Sequence, residues 1–127
     1  MINDIKKLNM HYKVHEFMKR ATLSQKFQYL QFRANFIEEE LTELYEAISV
    51  YNKEDIVDAL IDIIVVSLGT LESFEVNIQE AWNEVLRANL DKEIGVNPTR
   101  ENNGDLPDAI KPEGWIGPNH KNNTGKL

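Results

Sequence analysis

The chain has 127 residues, 42% of them apolar and 28% charged, which is enough for one ordinary domain with a core and excludes a multi-domain assembly or a wholly disordered polyelectrolyte. It has no cysteine, which excludes a disulfide scaffold, a zinc ribbon and a thiol nucleophile and accords with a cytoplasmic protein. The net charge of -7 is unevenly spread: Met1 to Arg33 carries +5, Ala34 to Leu86 carries -12 with Lys53 its single base, and Arg87 to Leu127 is balanced.

The opening stretch, MINDIKKLNMHYK, has no apolar h-region, and the longest apolar run, Ile63 to Val66, is four residues, so neither a signal peptide nor a membrane span is expected. The spacing predicts a first helix over about 4–19. A second begins after Ser24 as N-cap, with Phe27, Leu30, Ala34, Ile37, Leu41, Leu44 and Ile48 in a 3-4 stripe along one face. The third, about 53–74, is apolar nearly all round and reads as buried on most sides. The fourth, about 78–92, turns Ile78, Ala81, Trp82, Val85 and Ala88 inward. All four prolines and five of the six glycines lie between Gly95 and Gly125, so the remainder reads as an irregular arm of polar turns at Asn97-Pro98, Asn103-Gly104-Asp105, Lys111 to Gly114 and Gly117 to Asn119. The expectation is an all-α bundle of four to five helices over 1–92, with 93–127 as an irregular Gly/Pro/Asn-rich arm of the same domain.

On the second helix Glu39 and Glu46 point away from the apolar stripe, whereas Glu40 and Glu43 form a row beside it, three apart and thus about 5 to 6 Å from each other. On the third, Asp55, Asp58 and Asp62 fall within roughly 60° of one another on an otherwise apolar cylinder. An unpaired buried carboxylate costs several kcal/mol or takes up a proton. No Lys or Arg lies between Glu54 and Leu86. The balancing cation therefore comes from Arg33, Lys53, Arg87 or Lys92, or it is a metal. Hard oxygen donors without histidine suit Mg2+ or Mn2+ rather than zinc, and the Glu-x-x-His pairs of a di-iron bundle are missing.

His11 and His15 have the i, i+4 spacing of a metal pair but no His-Glu-x-x-His around them, and read as partly exposed helix residues. There is no P-loop, no G-x-G-x-x-G and no nucleophile elbow at any of the four serines. Trp115, in an arm with little structural use for it, packs on the body or a partner subunit, or stacks on a base.

These residues resemble the all-α nucleotide pyrophosphohydrolases that include MazG, dimeric dUTPases and phosphoribosyl-ATP pyrophosphohydrolase. The resemblance rests on Glu39-Glu40-Leu41-Thr42-Glu43-Leu44-Tyr45-Glu46-Ala47, similar to the family's E-E-x-x-E-L-x-E-A, and on Asp58-Ala59-Leu60-Ile61-Asp62, Gly69 and Glu84 to Lys92, similar to the small, often phage-encoded branch. It spans about 14–92. MazG proper carries E-x-x-D on the third helix. Aligning the aspartate with Asp62 puts Ala59 at the glutamate position, so Asp58 takes that role; the alternative register pairs Asp55 with Asp58.

The resemblance implies a hydrolase that splits (d)NTP between the α and β phosphates into (d)NMP and pyrophosphate. Glu40, Glu43, Asp58 and Asp62 would hold two or more Mg2+ (or Mn2+) ions, and Glu39 or a ligating glutamate such as Glu43 would take the proton of the attacking water. Asn89, Lys92 and Trp115 would contact substrate, and the chain would form a homodimer or dimer of dimers. It would lie in the cytoplasm, the host's if phage-encoded, with no membrane and no nucleic-acid polymer as partner. Two rivals share the residues: a non-catalytic nucleotide-binding helical protein, and an acidic interaction protein whose carboxylates would have to be spread over an exposed surface.

Overall fold

The computed structural model describes residues 1–100, 104 and 106–127; Asn103 and Asp105 of the expected Asn103-Gly104-Asp105 turn lie outside them. The described residues form two compact units, Met1–Ile78 with Gly125–Leu127, and Gln79–Thr124. Five helices appear in chain order: α1 Ile2–His11, α2 Val14–Arg20, α3 Leu23–Ser49, α4 Lys53–Ser73 and α5 Ile78–Leu90. Two short strands follow, β1 Glu93–Ile94 and β2 Ala109–Ile110. No helix among the described residues is long and apolar enough to cross a membrane.

The expected first helix is in fact two. Lys13 takes the left-handed conformation, φ 57, and its N–H returns to the Met10 carbonyl, ending α1 and turning the chain into α2. The same device closes the two long helices. Tyr51 (φ 53) ends α3, with its N–H on Ile48 O and the Asn52 N–H on Ala47 O; Glu75 (φ 59) ends α4, with its N–H on Glu72 O and the Val76 N–H on Leu71 O. Both are paired C-terminal closures of the kind usually built on glycine. At the start of α3 the cap is Thr22 rather than Ser24. Its hydroxyl accepts from Gln25 N at 3.2 Å while the Gln25 side chain accepts from Thr22 N at 2.8 Å, a reciprocal box that Ser24, lying inside the first turn, cannot make.

The Val50-Tyr51-Asn52 turn folds α4 back along α3, and α1 and α2 pack on α4. Close approach is bought with small residues: Ala47, Ala59, Gly69 and Ser73 are all buried. Gly69 is the tightest point, because a Cβ there would stand 3.0 Å from Arg33 Nη2 and 3.5 Å from Asn9 Oδ1. Asn9, itself buried, donates to Gly69 O at 2.9 Å and to Glu72 Oε2 at 2.5 Å, fastening α1 to α4.

Two expected faces are not covered within one chain. The α3 stripe is half-buried at Leu30, Ile37 and Leu44 but exposed at Phe27, Leu41 and Ile48. On α4, Val57, Leu60, Ile61 and Ile64 are exposed at between 45% and 62% rather than enclosed. The reason is supply: within the first unit α4 has α1, α2 and α3 as helical neighbours, too few to surround a helix that is apolar on nearly every face.

The second unit holds α5 and the arm. The arm is less irregular than its composition implies, since β1 and β2 pair antiparallel with Glu93 opposite Ile110 and Ile94 opposite Ala109. Trp82, expected inward, is 60% exposed. The last residues rejoin the first unit: Lys126 N donates to Phe74 O and its ammonium pairs with Glu75. Gly125 takes φ +56 directly against the Phe74 carbonyl, where a side chain has no room.

Candidate active site

In the first unit an open cleft of about 1080 Å³ runs along α1, α2, α3 and α4. Glu39, Glu40 and Asp62 form one part of its wall, and Phe17, Tyr29, Phe32 and Phe36 another. Glu39 and Glu40 reach it from the middle of α3, and Asp62 from the middle of α4. Glu43 and Asp58 lie on the same two helices, exposed.

Glu40 is the focus of this group. It is half-buried, and its Oε2 is closed to solvent with no hydrogen-bond partner among the described residues. Its carboxyl is held above the usual carboxylate range, first by burial and then by the negative charges of Glu43, Asp62, Asp58 and Glu39. Both effects disfavour the charged form.

The four candidate protein cations are all engaged elsewhere. Arg33 lines the cleft, yet its Nε donates to Thr70 Oγ1 at 3.1 Å and its Nη2 to Val66 O at 3.0 Å, with the guanidinium over the Tyr29 and Phe36 rings. Lys53 lies over Tyr51, Arg87 pairs with Glu84 and Asp91, and Lys92 donates to Asn89. Among the described residues no ion pair involves Glu39, Glu40, Glu43, Asp58 or Asp62.

Asp55, the alternative to Asp58, serves the start of α4. Its backbone N–H donates to the Asn52 cap at 3.4 Å, and its carboxylate accepts from Asn52 Nδ2 at 2.5 Å. It is not among the groups that bear on Glu40. Ala59 is buried in the helix packing, a place where an ionised side chain could not stand.

Among the described residues no three acidic or histidine side chains are gathered into a ready metal cage. The donor chemistry nonetheless fits a hard divalent cation: carboxylate oxygens only, one of them buried and unpartnered, with no lysine or arginine to balance them. The histidines do not form a pair. The break at Lys13 puts them on separate helices, where His11 stands edge-on to Tyr12 and His15 Nε2 meets the Glu72 carboxylate at 2.9 and 3.0 Å.

The residues expected to contact substrate beyond α4 meet within the second unit. Lys92 Nζ is 2.8 Å from Asn89 Oδ1 and 5.5 Å from the centre of the Trp115 ring. Trp115 packs on α5, its indole N–H donating to Ala88 O at 2.7 Å. Lys111, which the sequence did not single out, lies over the same ring at 4.8 Å.

The family model described as phosphoribosyl-ATP pyrophosphohydrolase matches residues 12–89, more than half of the chain and all of α2 to α4. The chain belongs to the phosphoribosyl-ATP pyrophosphohydrolase family. It is thus a nucleotide pyrophosphohydrolase domain, of the kind that acts on phosphoanhydride bonds, and the Glu39 to Ala47 segment and the acidic α4 both fall within the matched span. Comparisons with curated proteins and with solved structures return no match.

Proposed function

We propose that this member of the phosphoribosyl-ATP pyrophosphohydrolase family is a Mg2+-dependent hydrolase that cleaves a (deoxy)nucleoside triphosphate between the α and β phosphates. The observation that carries the reading is Glu40: a carboxylate oxygen closed to solvent and unpartnered among the described residues, amid four like charges, with Arg33, the cation lining the cleft, bonded to Val66 O and Thr70 instead. Such an arrangement is costly in the free chain and becomes favourable when a divalent cation enters.

Glu40, Glu43, Asp58 and Asp62 would hold the metal, and the bonds of Asp55 to the α4 cap support Asp58 as the fourth donor. Bound there, Mg2+ or Mn2+ supplies charge neutralisation, polarisation of the α-phosphoryl group and a lowered pKa for the attacking water. Glu39, on the cleft wall and free of ion pairs, or Glu43 accepts the water's proton. Arg33, tied to Val66 O and Thr70, stays out of the carboxylate group and leaves it for the metal. Asn89, Lys92 and Trp115 contact the nucleotide.

The uncovered rows on α3 (Leu41, Tyr45, Ile48) and α4 (Val57, Leu60, Ile61, Ile64) support a homodimer or dimer of dimers, since exposed apolar area on this scale marks an interface. Incubation with Mg2+ and a panel of dNTPs, NTPs and phosphoribosyl-ATP should release pyrophosphate for at least one. Glu43→Gln and Asp62→Asn should each abolish that release while the helical circular dichroism and oligomeric state persist. Turnover retained in both variants refutes the reading, and a nucleotide bound without any turnover points to the non-catalytic rival.

A further inference from the structure

The arm's short ladder has one feature that local stability does not explain. Glu93 pairs with Ile110 and Ile94 with Ala109, so the register carried one step outward sets Lys92 opposite Lys111. Like charges directly opposite one another on paired strands are destabilising. Among the described residues no acid forms an ion pair with either lysine: Glu84 and Asp91, on or next to α5, both go to Arg87, and neither Glu93, next to Lys92, nor Glu113, two residues after Lys111, pairs with them. Both ammonium groups instead converge on the Trp115 ring, at 5.5 and 4.8 Å from its centre, and so stand no more than about 10 Å apart. The ring is fixed by its bond to Ala88 O, and Lys92 is steadied by Asn89 Oδ1. Cation–π attraction lowers the cost of this arrangement without cancelling the two charges. Local conflicts that are only partly compensated concentrate at functional sites.

We propose that Lys111 joins Lys92 in a two-lysine clamp for a diphosphate group, either the β and γ phosphates of the substrate or the pyrophosphate released from it. The proposal rests on the pyrophosphohydrolase reading above and adds to it a residue, Lys111, and a part of the substrate. Two compact cations on one aromatic platform suit adjacent phosphates, each ammonium taking oxygens of one, whereas a single phosphate engages the pair less well.

The full chain carrying Trp82→Phe leaves Trp115 as its sole tryptophan, so indole emission reports on the clamp. Titration with pyrophosphate should give a saturable change, with inorganic phosphate and a nucleoside monophosphate binding at least about tenfold more weakly. Lys111→Ala should weaken pyrophosphate about tenfold and flatten the salt dependence of binding, and Lys111→Arg should restore both. In turnover, Lys111→Ala should raise KM for the triphosphate with kcat within about twofold, as expected for lost uniform binding. If the affinity gain over inorganic phosphate survives Lys111→Ala, the clamp is refuted, whichever source supplies the diphosphate. Normal turnover with binding indifferent to Lys111 refutes the clamp and leaves the hydrolase reading standing. Lys111-dependent pyrophosphate binding in a chain that turns over no nucleotide does the reverse.

Discussion

Gly69→Ala tests the packing that keeps Arg33 out of the carboxylate group. In a helix interior, alanine is favoured over glycine by about 1 kcal/mol, so propensity alone predicts a more stable variant. The added methyl would stand 3.0 Å from Arg33 Nη2, however, and the guanidinium has little freedom to retreat while it donates to Val66 O at 3.0 Å and Thr70 Oγ1 at 3.1 Å. A hydrogen bond from a charged donor is worth about 1.5–3 kcal/mol, and losing one outweighs the propensity gain. The expected net effect is a loss of about 1 kcal/mol, or about 4 °C in Tm for a chain of this length, read by urea or thermal unfolding. The sign should invert in an Arg33→Lys background, where the shorter head leaves room for the methyl and Gly69→Ala gains its propensity term. A Gly69→Ala variant more stable than the parent, with no coupling to Arg33 in that cycle, would refute the packing argument.

Glu40→Gln should stabilise the metal-free chain at pH 8, because it removes a charge that burial and four neighbouring carboxylates disfavour. Because the folded-state pKa of Glu40 is raised, its cost is absent below the unfolded value and grows as pH climbs through the folded one, so the gain should vanish near pH 4; an equal gain at both pH values counts against it. Mg2+ should raise the Tm of the parent at pH 8 and that of Glu40→Gln far less, measured by scanning calorimetry. Asp58→Asn should weaken Mg2+ activation by at least about tenfold, whereas Asp55→Asn should leave it unchanged and lower stability through the α4 cap by about 1 kcal/mol; the opposite ordering assigns the fourth ligand to Asp55. Ile61→Glu, placing a charge in the exposed α4 row, should reduce the mass seen by light scattering to that of one chain.

The helices were legible from spacing alone, because 3.6-residue periodicity marks them wherever apolar residues recur. The break at Lys13 was not. Reading glycine and proline as the punctuation of the chain misses closures built on Lys13, Tyr51 and Glu75, where a non-glycine residue accepts the left-handed conformation and, at Tyr51 and Glu75, two carbonyls are capped. The carboxylate positions followed from helical geometry, and so did the absence of nearby bases. What could not be read was the choice each cation makes: Arg33 takes a backbone carbonyl and a threonine hydroxyl rather than an acid. The role of Lys111 depends on strand register across a long excursion, and nothing local to either lysine announces it. Exposure was misjudged on α4 because periodicity tells which faces are apolar and not how many neighbours exist to cover them.

The return of Gly125 and Lys126 to the end of α4 makes residues 79–124 an excursion that leaves and re-enters the helical body at nearly one place, a few residues after Phe74. Closing a loop costs free energy only as the logarithm of its length, about 0.6 kcal/mol for each doubling. A change in the arm's length therefore alters the entropy of this closure by well under about 1 kcal/mol. The carboxylates on α3 and α4 belong to the first unit, and Lys111 and Trp115 to the second, so the two groups of candidate residues lie on opposite sides of that closure point in the chain.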